Sequence, residues 1–119
     1  MTTKLTVRKV LNAYKKTGLI PIQHKFFQKK KGKWCGCAAT ALYCANHEID
    51  MDEECKSSAN RQNFTIRIRD YADNIFNKMG GDFDYFLEGF DDGIPFYQND
   101  SHSLGVACGK ALGLINEDN

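Results

Sequence analysis

An all-α domain is the fold that the sequence predicts, and three observations carry that expectation. Apolar residues recur at helical spacing in four separate stretches. Glycines stand where three of those stretches should stop (Gly18, Gly80 and Gly93), as helix C-termini prefer. The one stretch that alternates as a strand does, Phe64 to Arg69, has no evident pairing partner, and a lone strand has no stability of its own. Four to five short helices in one compact domain spanning residues 1–119 follow, with a basic loop near residues 25–34.

The first helix runs from Leu5 to Thr17, where Val7, Val10, Leu11 and Tyr14 fall at i, i+3, i+4 and i+7. Lys15 and Lys16 favour the negative end of its dipole, Gly18 stops it and Pro21 prevents its continuation. Leu19 to Trp34 is the least regular part: a short element, then Lys29, Lys30, Lys31, Gly32 and Lys33 as an exposed loop whose tip self-repulsion should keep mobile.

A second helix from Cys37 to Asn46 carries a stripe of small residues around Ala38, Ala41 and Ala45. Acids from Glu48 to Glu54 follow, with Asp50 or Asp52 suited to cap a short turn. Ser57 to Gln62 is polar, a loop or the start of a helix. Asn63 to Met79 then places Phe64, Ile68, Tyr71, Ala72, Ile75, Phe76 and Met79 on one helical face. Asp82 caps a helix with Phe83, Phe86, Leu87 and Phe90 inward, ended by Gly93.

Ile94 to Ser103, with Pro95, reads as a loop. The last helix spans Ser101 to Ile115 with Leu104, Ala107, Cys108, Ala111, Leu112 and Ile115 on its apolar side, and residues 115–119 fray. Gly105, Gly109 and Gly113 are four apart, a ridge that invites close approach by another helix. The small stripe Cys37, Ala41, Ala45 is the expected receiver. Tyr71, Phe76, Phe83, Phe86 and Phe90 should form the main aromatic cluster, with Phe96 and Tyr97 beside it lining a partner or ligand groove.

Charge is distributed unevenly. The first 34 residues hold ten basic side chains and no acid, whereas the remainder holds six basic against fifteen acidic. Such a dipolar chain either folds its halves together or offers one to a charged partner. No apolar run approaches the ~20 residues that span a bilayer, and the first residues lack a secretory h-region. Five cysteines, an odd number, argue against a disulfide framework, so a cytoplasmic location without membrane attachment is expected.

The candidate partner-binding residues are Lys25, Lys29, Lys30, Lys31 and Lys33, with Trp34 beside them. Lysines interleaved with aromatics also suit nucleic acid, but a sequence pI of about 7.6 and fifteen acids oppose a polyanion. A protein partner, or self-association through opposite charged faces, is therefore favoured.

No catalytic constellation is visible, and the reading leans away from an enzyme towards a binding or regulatory module with no cofactor. The alternative is a cysteine site. Cys35, Cys37, Cys44 and His47 are soft ligands that could hold zinc or another thiophilic metal, and Cys55 or His102 could complete a set with Cys35 and Cys37. A thiolate at Cys35, favoured by a helix N-terminus and Lys33, would instead be redox-active. Against the metal, Cys37 and His47 lie about 15 Å apart along a continuous helix and the spacing matches no common zinc signature; against the redox reading, one residue separates Cys35 from Cys37 where the redox motif has two. The carboxylates from Asp82 to Asp92 are explained by capping and solubility rather than by a cation site.

Overall fold

Cap residues set where the elements begin and end in the computed structural model, which describes residues 4–93 and 99–116. In chain order these are α1 Val7–Thr17, β1 Ile20–Pro21, β2 Phe27–Lys30, β3 Lys33–Gly36, α2 Ala38–Asn46, α3 Met51–Glu54, α4 Ser58–Lys78, α5 Phe83–Asp92 and α6 Asp100–Ala111. The strands form one sheet in the order β1-β3-β2. β1 runs parallel to β3, with Ile20 opposite Cys35, and β2 runs antiparallel to it, from Phe27 opposite Gly36 to Lys30 opposite Lys33.

The fold is therefore α+β, and the all-α expectation is overturned. Strands of two and four residues are too short to display a period of two, and β1 pairs with a strand that is not its neighbour in sequence. The hairpin also lacks the usual Asn-Gly or Asp-Gly signal. Its two turn residues, Lys31 at φ 53° and Gly32 at φ 76°, both have the positive φ that a two-residue hairpin turn demands. What reads as a basic loop at 25–34 is thus mostly paired strand.

Several helix ends fall where the sequence puts them. Gly18 takes up φ 73° and its N–H donates to the Tyr14 carbonyl at 2.9 Å. Asp82 accepts the Tyr85 N–H at 3.1 Å, and Gly93 closes α5 at φ 66°. α4 starts earlier than periodicity alone suggests, because the Ser57 hydroxyl accepts the Asn60 N–H at 3.1 Å and the polar residues after it join the helix. α6 is capped by Asn99, whose Oδ1 accepts the N–H groups of Ser101 and His102 at 2.9 and 3.1 Å.

The glycine ridge of α6 has a different partner from the expected one. Gly113 lies beyond the helix at φ 77°. Gly105 faces α5: a Cβ there would collide with the Phe86 carbonyl and sit 2.8 Å from the Phe90 nitrogen. Reciprocally, a Cβ on Gly89 of α5 would collide with the His102 carbonyl and sit 3.2 Å from the Val106 nitrogen. The two helices touch backbone to backbone.

That contact turns α6 about its axis. Ala107 and Ala111, expected inside, are exposed, while Gly105, Val106, Cys108 and Gly109 are buried. The small stripe of α2 packs against α1 instead.

Phenylalanines fill the space between α4, α5 and the sheet. Phe64, Phe76, Phe86 and Phe90 are fully buried. Phe76 lies 4.9 Å from Phe86 and Phe27 lies 5.1 Å from Phe64, centroid to centroid. Tyr71 joins the rings on the Phe64 side rather than those around Phe76 and Phe86, edge-on at 5.4 Å to Tyr43, which meets Phe64 at 5.9 Å. Phe96 and Tyr97 lie outside the described residues. No helix among the described residues is long and apolar enough to cross a membrane.

The seam between α5 and α6 reverses the ordinary effect of a helical glycine. On propensity alone Gly105→Ala should stabilise by about 1 kcal/mol. The collision with the Phe86 carbonyl should instead make it destabilising by about 1–3 kcal/mol in urea unfolding. Alanine at exposed Ser103 should change stability by less than about 0.5 kcal/mol. A stabilised Gly105→Ala protein would show that the helices are not in this contact.

Candidate functional site

The lysines cluster because the hairpin brings them together. β2 carries Lys29 and Lys30, the turn carries Lys31, and β3 carries Lys33 and Trp34. Pairing sets Lys30 directly opposite Lys33 and Lys29 opposite Trp34. Like charges directly opposed across strands destabilise a hairpin, and Lys31 adds a third ammonium at the tip. Lys30, Lys31 and Lys33 are all exposed. Lys25 is exposed as well but stands before β2, outside the hairpin.

One acid serves this cluster. Asp52 of α3 accepts the Trp34 indole N–H at 3.0 Å and the Lys29 ammonium at 3.1 Å, while that ammonium stands 5.5 Å from the Trp34 ring centroid. The indole hydrogen bond first, and Lys29 second, hold the Asp52 carboxyl below its ordinary range. The other acids with ion-pair partners serve different cations: Glu53 pairs with Lys56, Glu54 with Arg67, and Asp73 and Asp84 with Arg69. Among the described residues, Lys29 is the one member of the ten N-terminal cations that pairs with an acid.

The cysteines are dispersed and embedded. Cys35 lies inside β3 rather than at a helix start, and is 2% exposed. Cys37 is the N-cap of α2, equally buried, with its sulfur 3.6 Å from the Thr40 hydroxyl. Burial pushes the Cys37 thiol up, and pushes Cys44 and Cys108 each to about 12. Cys44 rests against the Met51 sulfur at 3.9 Å.

His47 points elsewhere, stacked on Tyr43 at 4.3 Å with its Nδ1 2.9 Å from the Tyr43 carbonyl, at the C-terminus of α2. The four candidate ligands Cys35, Cys37, Cys44 and His47 are not brought together. No three His, Cys, Asp or Glu side chains among the described residues are grouped to hold a metal ion, and all five cysteines are free thiols.

One juxtaposition was not legible in the sequence. His24, Lys25, Phe26, Cys37, Leu87 and Asp91 line a cavity of about 80 Å³. A cysteine, a histidine and an aspartate around one cavity suggest a nucleophile and its relay, but the bonding does not fit that role. The Asp91 carboxylate accepts the backbone N–H of His24 at 3.0 Å, and the Cys37 thiol is held protonated by burial. The interaction fastens the segment between β1 and β2 to the end of α5, assisted by the Gln23 amide donating to the Phe90 carbonyl at 2.8 Å. It also holds His24 at φ 69°, where a non-glycine residue is strained.

Asp52 was the other residue missed as part of the site. The signal that could have found it is chemical: a tryptophan beside a lysine run needs an acceptor for its indole N–H. No family model matches this chain, and neither a curated protein nor a solved structure is similar to it.

Two measurements check this geometry. Trp34 is the sole tryptophan, so its emission reports on Asp52. With the Asp52 carboxyl lowered, its contribution persists above the unfolded-state pKa and is lost as pH falls through the lower folded value. The emission of Trp34 should therefore change in acid below the ordinary carboxylate range, and Asp52→Ala should abolish that step.

Asp91 has the opposite sign. Burial raises its carboxyl above the ordinary value, so the protonated form is favoured and stability falls as pH rises through the folded pKa. Asp91→Asn keeps the acceptor without the charge and should be at least as stable as the parent at neutral pH. Asp91→Ala should lose about 1 kcal/mol in thermal unfolding.

Proposed function

We propose that this chain is a non-enzymatic binding module that grips an acidic surface on a partner protein through the lysine end of the β2–β3 hairpin. The observation that carries the reading is the opposed pair Lys30 and Lys33, crowned by Lys31, with no ion pair to any carboxylate among the described residues. A fold that bears this repulsion without internal compensation gains from it when an external acid arrives. Trp34, fixed by Asp52 and Lys29, supplies a rigid aromatic next to the charges, the residue type that anchors interfaces. A cytoplasmic setting agrees with five free thiols, four of them buried.

The test is a binding titration of the full chain against a fluorescein-labelled polyglutamate peptide and, in parallel, a single-stranded oligonucleotide. Binding to the peptide should weaken steeply with salt. It should fall about tenfold when Lys30, Lys31 and Lys33 are all changed to Gln, given about 0.5 kcal/mol for each exposed ion pair. Unchanged peptide binding by that variant sinks the proposal. Tighter capture of the oligonucleotide would reassign the hairpin to nucleic acid, and sedimentation that shifts with salt in the absence of peptide would make a second copy the partner.

A further inference from the structure

A second surface of the molecule has the shape of a receptor for a helix. α1 presents Lys9, Asn12, Ala13 and Lys16 at i, i+3, i+4 and i+7, one face over two turns. α4 presents Tyr71 and Ile75, one turn apart, and α2 lays Leu42, Ala45 and Asn46 between them. Together with Leu5 these residues line a groove of about 500 Å³. Its walls are two helical ridges and its floor is a third helix, the arrangement that accepts an amphipathic helix by its apolar stripe.

The charge on the groove selects the occupant. Its lining holds Lys9 and Lys16 and no carboxylate. The two lysines stand about 10 Å apart along α1, two turns of helix. Lys16 makes no ion pair among the described residues, and Lys9 is tied to the Lys4 carbonyl at 2.7 Å, which holds its ammonium near the N-terminal end of the groove.

The groove does not end at Lys16. Lys16, Ala45 and Asn46 also line an adjoining cleft of about 530 Å³, with Leu19, Ile49 and Met51 further along it, but Glu48 lines that cleft too, so the stretch without a carboxylate is the groove from Lys9 to Lys16. An apolar floor edged by paired ammonium groups is complementary to a helix with apolar residues at i, i+3 or i+4 and i+7, and carboxylates along one flank.

We infer that the groove between α1, α2 and α4 docks an acidic amphipathic helix from a partner protein. The apolar face of that helix rests on Leu42, Ala45, Tyr71 and Ile75, and its carboxylates meet Lys9 and Lys16. The inference rests on the reading of the chain as a binding module but not on the hairpin, which is a separate surface.

The experiment is a selection of helical peptides from a random display library on the full chain, followed by titration of the enriched peptides. Enriched sequences should show the apolar spacing with flanking Glu or Asp. Their affinity should fall at least about tenfold on a chain carrying Asn12→Glu and Lys16→Glu, both exposed positions, with helix content by circular dichroism unchanged.

The Lys30→Gln, Lys31→Gln, Lys33→Gln chain should bind those peptides as the parent does. Basic or unpatterned enriched peptides, or peptides indifferent to the α1 changes, overturn the groove. Peptides lost only on the hairpin variant overturn the groove and leave the hairpin reading standing. If the α1 variant loses its helix content, Lys16→Gln with Lys9→Gln takes its place, and indifference to that pair overturns the groove as well.

Discussion

Two carbonyl groups at the junction of β3 and α2 hold the molecule together. The Gly36 carbonyl accepts the Tyr14 hydroxyl at 2.8 Å and the Ile22 N–H at 3.2 Å. The Phe26 carbonyl accepts the Cys37 N–H at 2.9 Å and the Thr40 hydroxyl at 2.6 Å. Four donors from α1, the segment after β1, the α2 cap and α2 itself thus converge on two oxygens. Each donor left unpaired in that interior would cost about 1–3 kcal/mol, which makes the arrangement nearly all-or-none. Gly36 has no side chain because a Cβ would press on Thr40 at 3.1 Å and Leu19 at 3.2 Å. The sheet stays small, yet it fixes the direction in which the lysine hairpin leaves the helical body.

That anchoring explains how the chain tolerates its own charge distribution. The acidic C-terminal half spends carboxylates on Lys56, Arg67 and Arg69, cations of its own half. Among the described residues, the basic side chains of the N-terminal half pair only with Asp52, placed where it orients Trp34 as much as it neutralises Lys29. The two halves do not fold onto one another as complementary plates, and most of the basic side chains remain at the surface. The cysteines are quiet within this scheme: burial disfavours the thiolate of Cys37, Cys44, Cys55 and Cys108 alike, so packing accounts for them.

The helices were legible where a cap and a period agreed, as at Gly18, Asp82 and Gly93. They blurred where a polar cap preceded polar residues, as at Ser57, and where the cap, Asn99, stood inside a stretch that reads as loop. The sheet was invisible because its signal is pairing between distant short segments, and pairing leaves no periodic trace in two or four residues. The rotation of α6 was misjudged for a related reason. Hydropathy counts side chains, and the closest contact of α6 is made at Gly105, where there is no side chain to count. Of the candidate site, the lysines and Trp34 were readable as a composition bias. Their opposition across a hairpin and the role of Asp52 were not, since both depend on which residues the fold sets face to face.

The glycine seam has a consequence for how this sequence can drift. Gly89 and Gly105 protect the same backbone contact from opposite sides. A side chain at either one must force α5 and α6 apart. Once the helices have separated, the second glycine guards a gap that no longer exists, and its replacement costs little further. The two positions are therefore strongly epistatic, with a double change far milder than the sum of the single ones. A chain that crosses that barrier has a wider helical pair which selection can then repack with ordinary side chains, and the return to two glycines becomes as steep as the departure.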